Sequence, residues 1–210
     1  RIKALLAFYE PYRNADGLLE KLPGWVFIEW SGAGEFLDDV NYPVNMLYCG
    51  ALEAAQRLYG GFSRENISAL RAAIRRQSKR ALFFSDHAVW REGKLFVTDD
   101  YSEMCQYTAF FFRFAEKGTE PELFRLLAAR DFNREGCPSL VPSNVLFGYL
   151  LRLDLLRRFG RTDEIVRDLC EMYGEMAAKT GTLWEHSNPE GSLCQGANGF
   201  VCALLSGECR

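Results

Sequence analysis

Residues 42–61 read YPVNMLYCGALEAAQRLYGG, from Tyr42 to Gly61. Within them Val44, Leu47, Tyr48, Ala51, Ala55, Leu58 and Tyr59 recur at steps of three and four. An α-helix turns once in 3.6 residues, so this spacing gathers the apolar side chains into one stripe. Gly60 and Gly61 then stop it.

The same reading extends along the chain. Ser63 stands as an N-cap before Ile67, Leu70 and Ile74. Asp100 and Glu103 form a capping box before Met104 to Ala115. That segment carries Phe110, Phe111, Phe112 and Phe114, is apolar on nearly all sides and should lie buried between neighbours. Thr119 and Glu122 make a second box, with Pro121 in the first turn. Ser143 opens a helix through Leu146, Tyr149, Leu153 and Leu156 to Gly160, and Thr162 opens the next through Ile165, Leu169, Tyr173 and Met176. A last apolar segment runs from Phe200 to Leu205.

Strand-like pieces are short: Trp25 to Ile28, Leu82 to Phe84 and Leu95 to Val97. No strands alternate with crossover helices, so a parallel α/β sheet is disfavoured and the chain reads as all-α with short β segments in its loops. Short glycine turns follow Tyr59, Ala115 and Phe159, whereas residues 24–42, 80–100, 131–143 and 180–198 are long, polar and aromatic. That alternation predicts helical hairpins with elaborate loops at one end, where binding residues concentrate.

With 210 residues, 48% of them hydrophobic, the chain suits one large domain or two small ones and can bury a core. The net charge of -3 argues against a nucleic-acid partner. The basic run Arg71 to Arg80 reads as a solvated helix face. No apolar run approaches the ~20 residues of a membrane span, so no membrane partner is expected. The histidines, His87 and His186, are far apart in sequence, which disfavours a metal site, and no cofactor is expected. The seven cysteines (Cys49, Cys105, Cys137, Cys170, Cys194, Cys202 and Cys209) show no C-x-x-C pair and read as reduced thiols, leaning towards a reducing, cytoplasmic compartment. The chain begins at Arg1 rather than Met, as a processed or excised segment would.

Chemistry concentrates in the long loops. In the first, Trp25 and Trp30 flank Glu29. A sugar stacks its C–H faces on indole and bonds its hydroxyls to carboxylates, and core packing of the two Trp is the equal alternative. In the second, Asp99 and Asp100 read as turn and cap residues, and Trp90 as a ring-stacking candidate. The third, Asp131 to Ser143, looks structural. In the fourth, Trp184, Glu185 and His186 set an indole, a carboxylate and an imidazole side by side. A carboxylate beside an indole suits a general base, with a helix cap or a salt-bridged Glu as the alternative.

These segments resemble bacterial α-L-rhamnosidases of glycoside hydrolase family 78, in the C-terminal part of their catalytic domain. The resemblance covers essentially the whole chain in order. It rests on P-G-W-V-F-I-E-W (residues 23–30), N-Y-P-V-N-M-L-Y-C-G-A-L-E-A-A (41–55), F-V-T-D-D-Y-S-E-M-C-Q (96–106) and G-T-L-W-E-H with S-L-C-Q-G (181–186 and 192–196). It implies one domain over residues 1–210, forming about two thirds of an (α/α)6 toroid. It also implies inverting hydrolysis of terminal α-L-rhamnosides. Glu185 matches the family's base, while the acid belongs to a motif not found in residues 1–24. By resemblance Trp30, Trp90 and Trp184 line the sugar pocket and Glu29 bonds sugar hydroxyls. Gln195 stands where the family has His, able to donate to a hydroxyl but not to carry a proton, and Glu29 replaces the usual Asp. The implied partner is a rhamnose-containing carbohydrate, with the incomplete ring completed by a missing N-terminal part or by a homo-oligomer. The alternatives are another six-hairpin glycosidase, a sugar epimerase, which would want paired histidines, and a non-catalytic carbohydrate-binding or scaffold relative.

Overall fold

The computed structural model describes residues 1–129 and 140–206. Most of the third loop, with Cys137, lies outside the described residues, as does Cys209. Helices dominate, as the patterning predicts: α1 (Ile2–Ala7), α2 (Tyr42–Tyr59), α3 (Arg64–Ser78), α4 (Glu103–Phe111), α5 (Pro121–Ala128), α6 (Gly148–Arg158), α7 (Thr162–Asp168), α8 (Gly174–Thr180) and α9 (Phe200–Ser206). A π-helical turn, Leu169–Tyr173, joins α7 to α8. Three short strands, β1 (Val40–Asn41), β2 (His87–Arg91) and β3 (Lys94–Val97), form one antiparallel sheet in that order. Ala88 faces Val40 on one side and Val97 on the other. Trp25 to Ile28 and Leu82 to Phe84 are not strands. The backbone N–H and C=O of Phe84 are instead taken by the Gln106 side chain, at 2.8 Å each.

Helix α2 packs on α3 and α4, α4 on α6, and α6 on α7. The α2–α4 contact is close because Gly50 carries no side chain: a Cβ there would stand 2.3 Å from the Phe112 ring. Every residue of α4 from Glu103 to Phe110 is buried, as its all-round apolar pattern requires. Between α6 and α7, Arg152 and Asp168 are both fully buried, with Arg152 Nε donating to Asp168 Oδ2 at 2.7 Å. The Arg152 guanidinium also donates to the Tyr107 hydroxyl at 3.3 Å and to the Leu127 carbonyl.

Several helix starts differ from expectation for local reasons. Ser63 caps α3 as predicted, accepting from the Asn66 amide. The cap of α4 is Ser102 rather than Asp100, since its hydroxyl accepts from the Cys105 amide at 3.0 Å. Glu120, not Thr119, precedes α5, and the Thr119 hydroxyl is spent on Glu116. Helix α6 starts at Gly148, five residues after Ser143, because side chains capture the amides in between. The basic run on α3 is not simply solvated. Arg71 pairs with Glu53, while Arg75 and Lys79 both pair with Glu120. Arg71 and Arg75 also donate to the carbonyls of Phe112 and Phe114 beyond α4. Five cysteines, Cys49, Cys105, Cys170, Cys194 and Cys202, are free.

The turns after Tyr59 and Phe159 are short, whereas the long segments hold the sheet and the remaining loops. Asn41 and Asn45 fasten the first loop to α2. Asn45 accepts from the Leu19 amide at 2.7 Å and donates to the Leu19 carbonyl at 3.0 Å, while Asn41 donates to the Phe36 carbonyl at 2.8 Å. Asp86 fastens the second loop to α4, accepting at 2.6 Å from both the amide and the hydroxyl of Ser102. No helix among the described residues is long and apolar enough to cross a membrane.

Candidate active site

Three separate stretches of chain meet around Trp30. The first is 24–31, which holds no helix or strand. The second is 143–148, the approach to α6. The third is 183–195, after α8, where Gly181 adopts the left-handed conformation at φ 71° and turns the chain out of the helix. In that third stretch the Glu185 amide donates to the Ser192 carbonyl at 2.8 Å and the Gln195 amide to the Leu183 carbonyl at 2.8 Å, closing a narrow loop.

Glu185 is half-buried and held by two neutral donors. Trp30 Nε1 donates to its Oε1 at 3.0 Å and the Ser192 amide to its Oε2 at 3.2 Å. No Lys or Arg among the described residues pairs with it. The His186 ring lies 5.6 Å from the Trp30 ring. Gly191, at φ 71°, is needed beside them: a Cβ would come within 2.9 Å of the His186 ring and 3.3 Å of Glu185 Oε2.

Glu29, next to Trp30 in the chain, is buried. The Gly148 amide donates to its Oε1 at 2.7 Å, while Oε2 has no partner of good hydrogen-bond geometry. Burial pushes its carboxyl up to about 7, and the charge of Glu103 adds to the rise. The Ser31 hydroxyl and the amides of Asn144 and Gly148 oppose it. Asp86 is likewise raised to about 7 by burial, offset by its two bonds from Ser102. A cavity of 450 Å³ opens over this region, lined among others by Trp25, Phe27, Glu29, Trp30, Glu35 and His186. The aromatic rings run in sequence, Phe27 4.9 Å from Trp30 and 5.2 Å from Trp25. Trp25 is 75% exposed, so these rings present faces to solvent rather than filling the core.

The structure thus bonds Trp30 to Glu185 across 155 residues of sequence and sets Trp30 with Glu29 in the cavity wall, whose lining does not include Glu185. It does not bring in the other three. Trp184 is only 1% exposed, and its Nε1 donates to the Thr180 hydroxyl at 2.7 Å. A stacking wall needs an open ring face, and this indole has none. Trp90 lies on β2, half-exposed, with Nε1 donating to Glu20 Oε2 at 3.2 Å and the Lys21 ammonium over its ring, outside the cavity lining. Gln195 caps the turn Gly196–Gly199, its side chain accepting from the Ala197 amide. Sequence reading missed Asn144, whose side chain donates to the Trp30 carbonyl at 2.6 Å and accepts from the Ser187 amide at 2.9 Å. Its only local signal is the Ser143-Asn144 pair, which imitates a helix cap. It also missed Gly148, where a Cβ would stand 2.3 Å from Glu29 Oε1. The described residues contain no cluster of metal-ligating side chains.

No protein-family model matches the chain, and no curated protein matches it. Solved structures do. A GH78 family rhamnosidase of Bacillus sp. GL1 superposes with a TM-score of 0.81 at 20% identity, over 99% of this chain and 23% of that one. The chain has the fold of these rhamnosidases. A second example, the rhamnosidase from Klebsiella oxytoca with rhamnose bound, gives a TM-score of 0.72 at 15% identity, over 98% of this chain and 41% of that one. The resemblance read from the sequence therefore holds at the level of the fold. The chain spans less than half the length of either rhamnosidase.

Proposed function

We propose that the chain is the C-terminal part of a catalytic domain of an α-L-rhamnosidase of glycoside hydrolase family 78. In this reading residues 1–210 form one domain, about two thirds of an (α/α)6 toroid in which α2, α4 and α6 are consecutive inner helices. Their packing on one another in that order supports it. So does the apolar groove of 450 Å³ along α1 and α2, where exposed Leu5, Phe8 and Leu47 suit the packing of further hairpins.

The reaction is the inverting hydrolysis of a terminal α-L-rhamnoside. Glu185 takes a proton from water as the water attacks the anomeric carbon, and the glycosidic oxygen leaves with a proton from an acid outside this chain. An inverting pair stands ~6.5–9.5 Å apart to admit that water. One observation carries the reading: among the described residues Glu185 pairs with no cation, and it is oriented by a backbone amide and by the indole N–H of Trp30, a ring that lines the cavity. Neutral donors fix its direction without neutralising its charge, which leaves lone pairs for water. Trp30 serves as the ring against which the sugar stacks, and Glu29, buried and bonded to the Gly148 amide, holds the approach to α6 rather than a sugar hydroxyl. Trp184 supports the Glu185 loop from below. Trp90 and Gln195 keep a part in substrate binding only if further chain carries the sugar towards them.

The test is hydrolysis of an aryl α-L-rhamnoside by the longer protein that contains this chain, with the first-formed anomer read by NMR. Inversion gives β-L-rhamnose. Glu185→Gln keeps the shape of the side chain but cannot take the proton, so turnover should fall by about 10²–10⁴-fold with rhamnose binding retained. Unchanged turnover in that variant, or retention of configuration, would overturn the assignment.

A further inference from the structure

We propose that Asn144 is a positioning residue that locks Trp30 onto Glu185, and that the carboxylate is aimed by a clamp built from a third stretch of chain. The inference rests on the reading of Glu185 as the base but can be measured without it.

The Asn144 side chain spends one of its two N–H donors and both acceptor sites on nearby backbone. Nδ2 donates to the Trp30 carbonyl at 2.6 Å. Oδ1 accepts from the Ser187 amide at 2.9 Å and from its neighbour Val145 at 2.7 Å. One half-buried side chain therefore touches the backbone of Trp30 and the backbone two residues beyond Glu185. Trp30 Nε1 in turn donates to Glu185 Oε1. The four groups close a ring: Asn144 to the Trp30 backbone, Trp30 indole to Glu185, Glu185 along the chain to Ser187, and Ser187 back to Asn144.

Only a carboxamide of this length does this. Asp lacks the donor and would set an anionic oxygen against the Trp30 carbonyl. Ala or Ser offers no reach, and Gln adds a methylene that moves both ends. The clamp is itself anchored. The Ser143 amide donates to Glu103 Oε2 at 2.9 Å and the Gly148 amide to Glu29 Oε1 at 2.7 Å, so residues 143–148 are held at both ends by buried carboxyls. The same anchoring delays the start of α6 to Gly148.

The experiment follows the indole N–H resonances of the intact 210-residue chain by NMR. Trp30 is assigned by Trp30→Phe and Trp184 by Trp184→Phe. Asn144→Ala and the near-isosteric Asn144→Asp should move the Trp30 resonance, speed its exchange with water and leave the Trp184 resonance, on Thr180, in place. Glu185→Gln should move the same Trp30 resonance. Rhamnose affinity should fall about tenfold in both Asn144 variants, the scale of one lost hydrogen bond. An unmoved Trp30 resonance in a folded Asn144→Ala or Asn144→Asp chain overturns the proposal. So does a joint shift of all the indoles with a fall in melting temperature in both variants, which would mark Asn144 as merely structural. If the longer protein that contains this chain shows no response to rhamnose while the Trp30 resonance still follows Asn144, the clamp stands and the sugar reading fails.

Discussion

Two carboxylates of this protein, Asp168 and Glu185, each accept hydrogen bonds from side chains brought close by folding, yet they do opposite work. Asp168 lies fully buried between α6 and α7 against the guanidinium of Arg152, with Arg167 on its other oxygen at 3.2 Å. Its charge is neutralised, so it fastens helices and offers nothing to a ligand. Glu185 lies half-buried in a loop, held by an indole N–H and an amide. Its direction is fixed, and no cation among the described residues cancels its charge. The kind of donor, not the number of bonds, separates a fastening carboxylate from a reactive one.

Breaking the first pair should cost most. Arg152→Ala leaves Asp168 and the Leu127 carbonyl buried without their main donor, and unfolding in urea should register a loss of about 3–5 kcal/mol. Trp184→Ala comes next. Its indole is buried, so the change opens a cavity, and stability should fall by about 3 kcal/mol by the same measurement. Expected from the sequence as a loss of sugar stacking, this effect belongs to the fold.

A pH titration sharpens the comparison by probing the other buried carboxyls. Glu29 and Asp86 titrate near 7 in the folded chain, well above the ordinary carboxylate range. Between that range and pH 7 the folded chain holds protons that the unfolded chain has lost. The stability these two carboxyls contribute is therefore fully present below about pH 4 and is lost as pH rises through 7, about 3–4 kcal/mol for each group. Denaturation followed from pH 4 to 8 should show the decline, and Glu29→Gln should flatten its own share of it. A Glu29→Gln chain whose pH dependence matches that of the unaltered chain would contradict the raised titration of Glu29.

The smallest effect is expected where the chemistry is placed. Glu185→Gln keeps the acceptor for the Trp30 indole and sits in a half-buried loop, so its stability should lie within about 0.5 kcal/mol of the unaltered chain. A loss comparable to that of Arg152→Ala would make Glu185 a fastening residue after all.

The sequence alone carried the helical class. Apolar steps of three and four from Val44 to Tyr59, the all-round apolar run after Ser102 and the Ser63 cap are local signals, and local backbone chemistry obeys them. It also singled out Glu29, Trp30 and Glu185, because an aromatic beside a carboxylate is visible in a short window. Exposure was not visible there. Trp30 and Trp184 stand in near-identical company, each beside a Glu, yet one is open to a cavity and the other buried with its indole N–H on Thr180. That choice depends on what packs over each indole, which only the fold decides. Asn144 was hidden for the same reason, since its value lies in partners 114 and 43 residues away. The pairing of carboxylates was hidden too: whether a guanidinium or an indole meets each one is set by helices and loops distant in sequence, and no local pattern encodes that meeting.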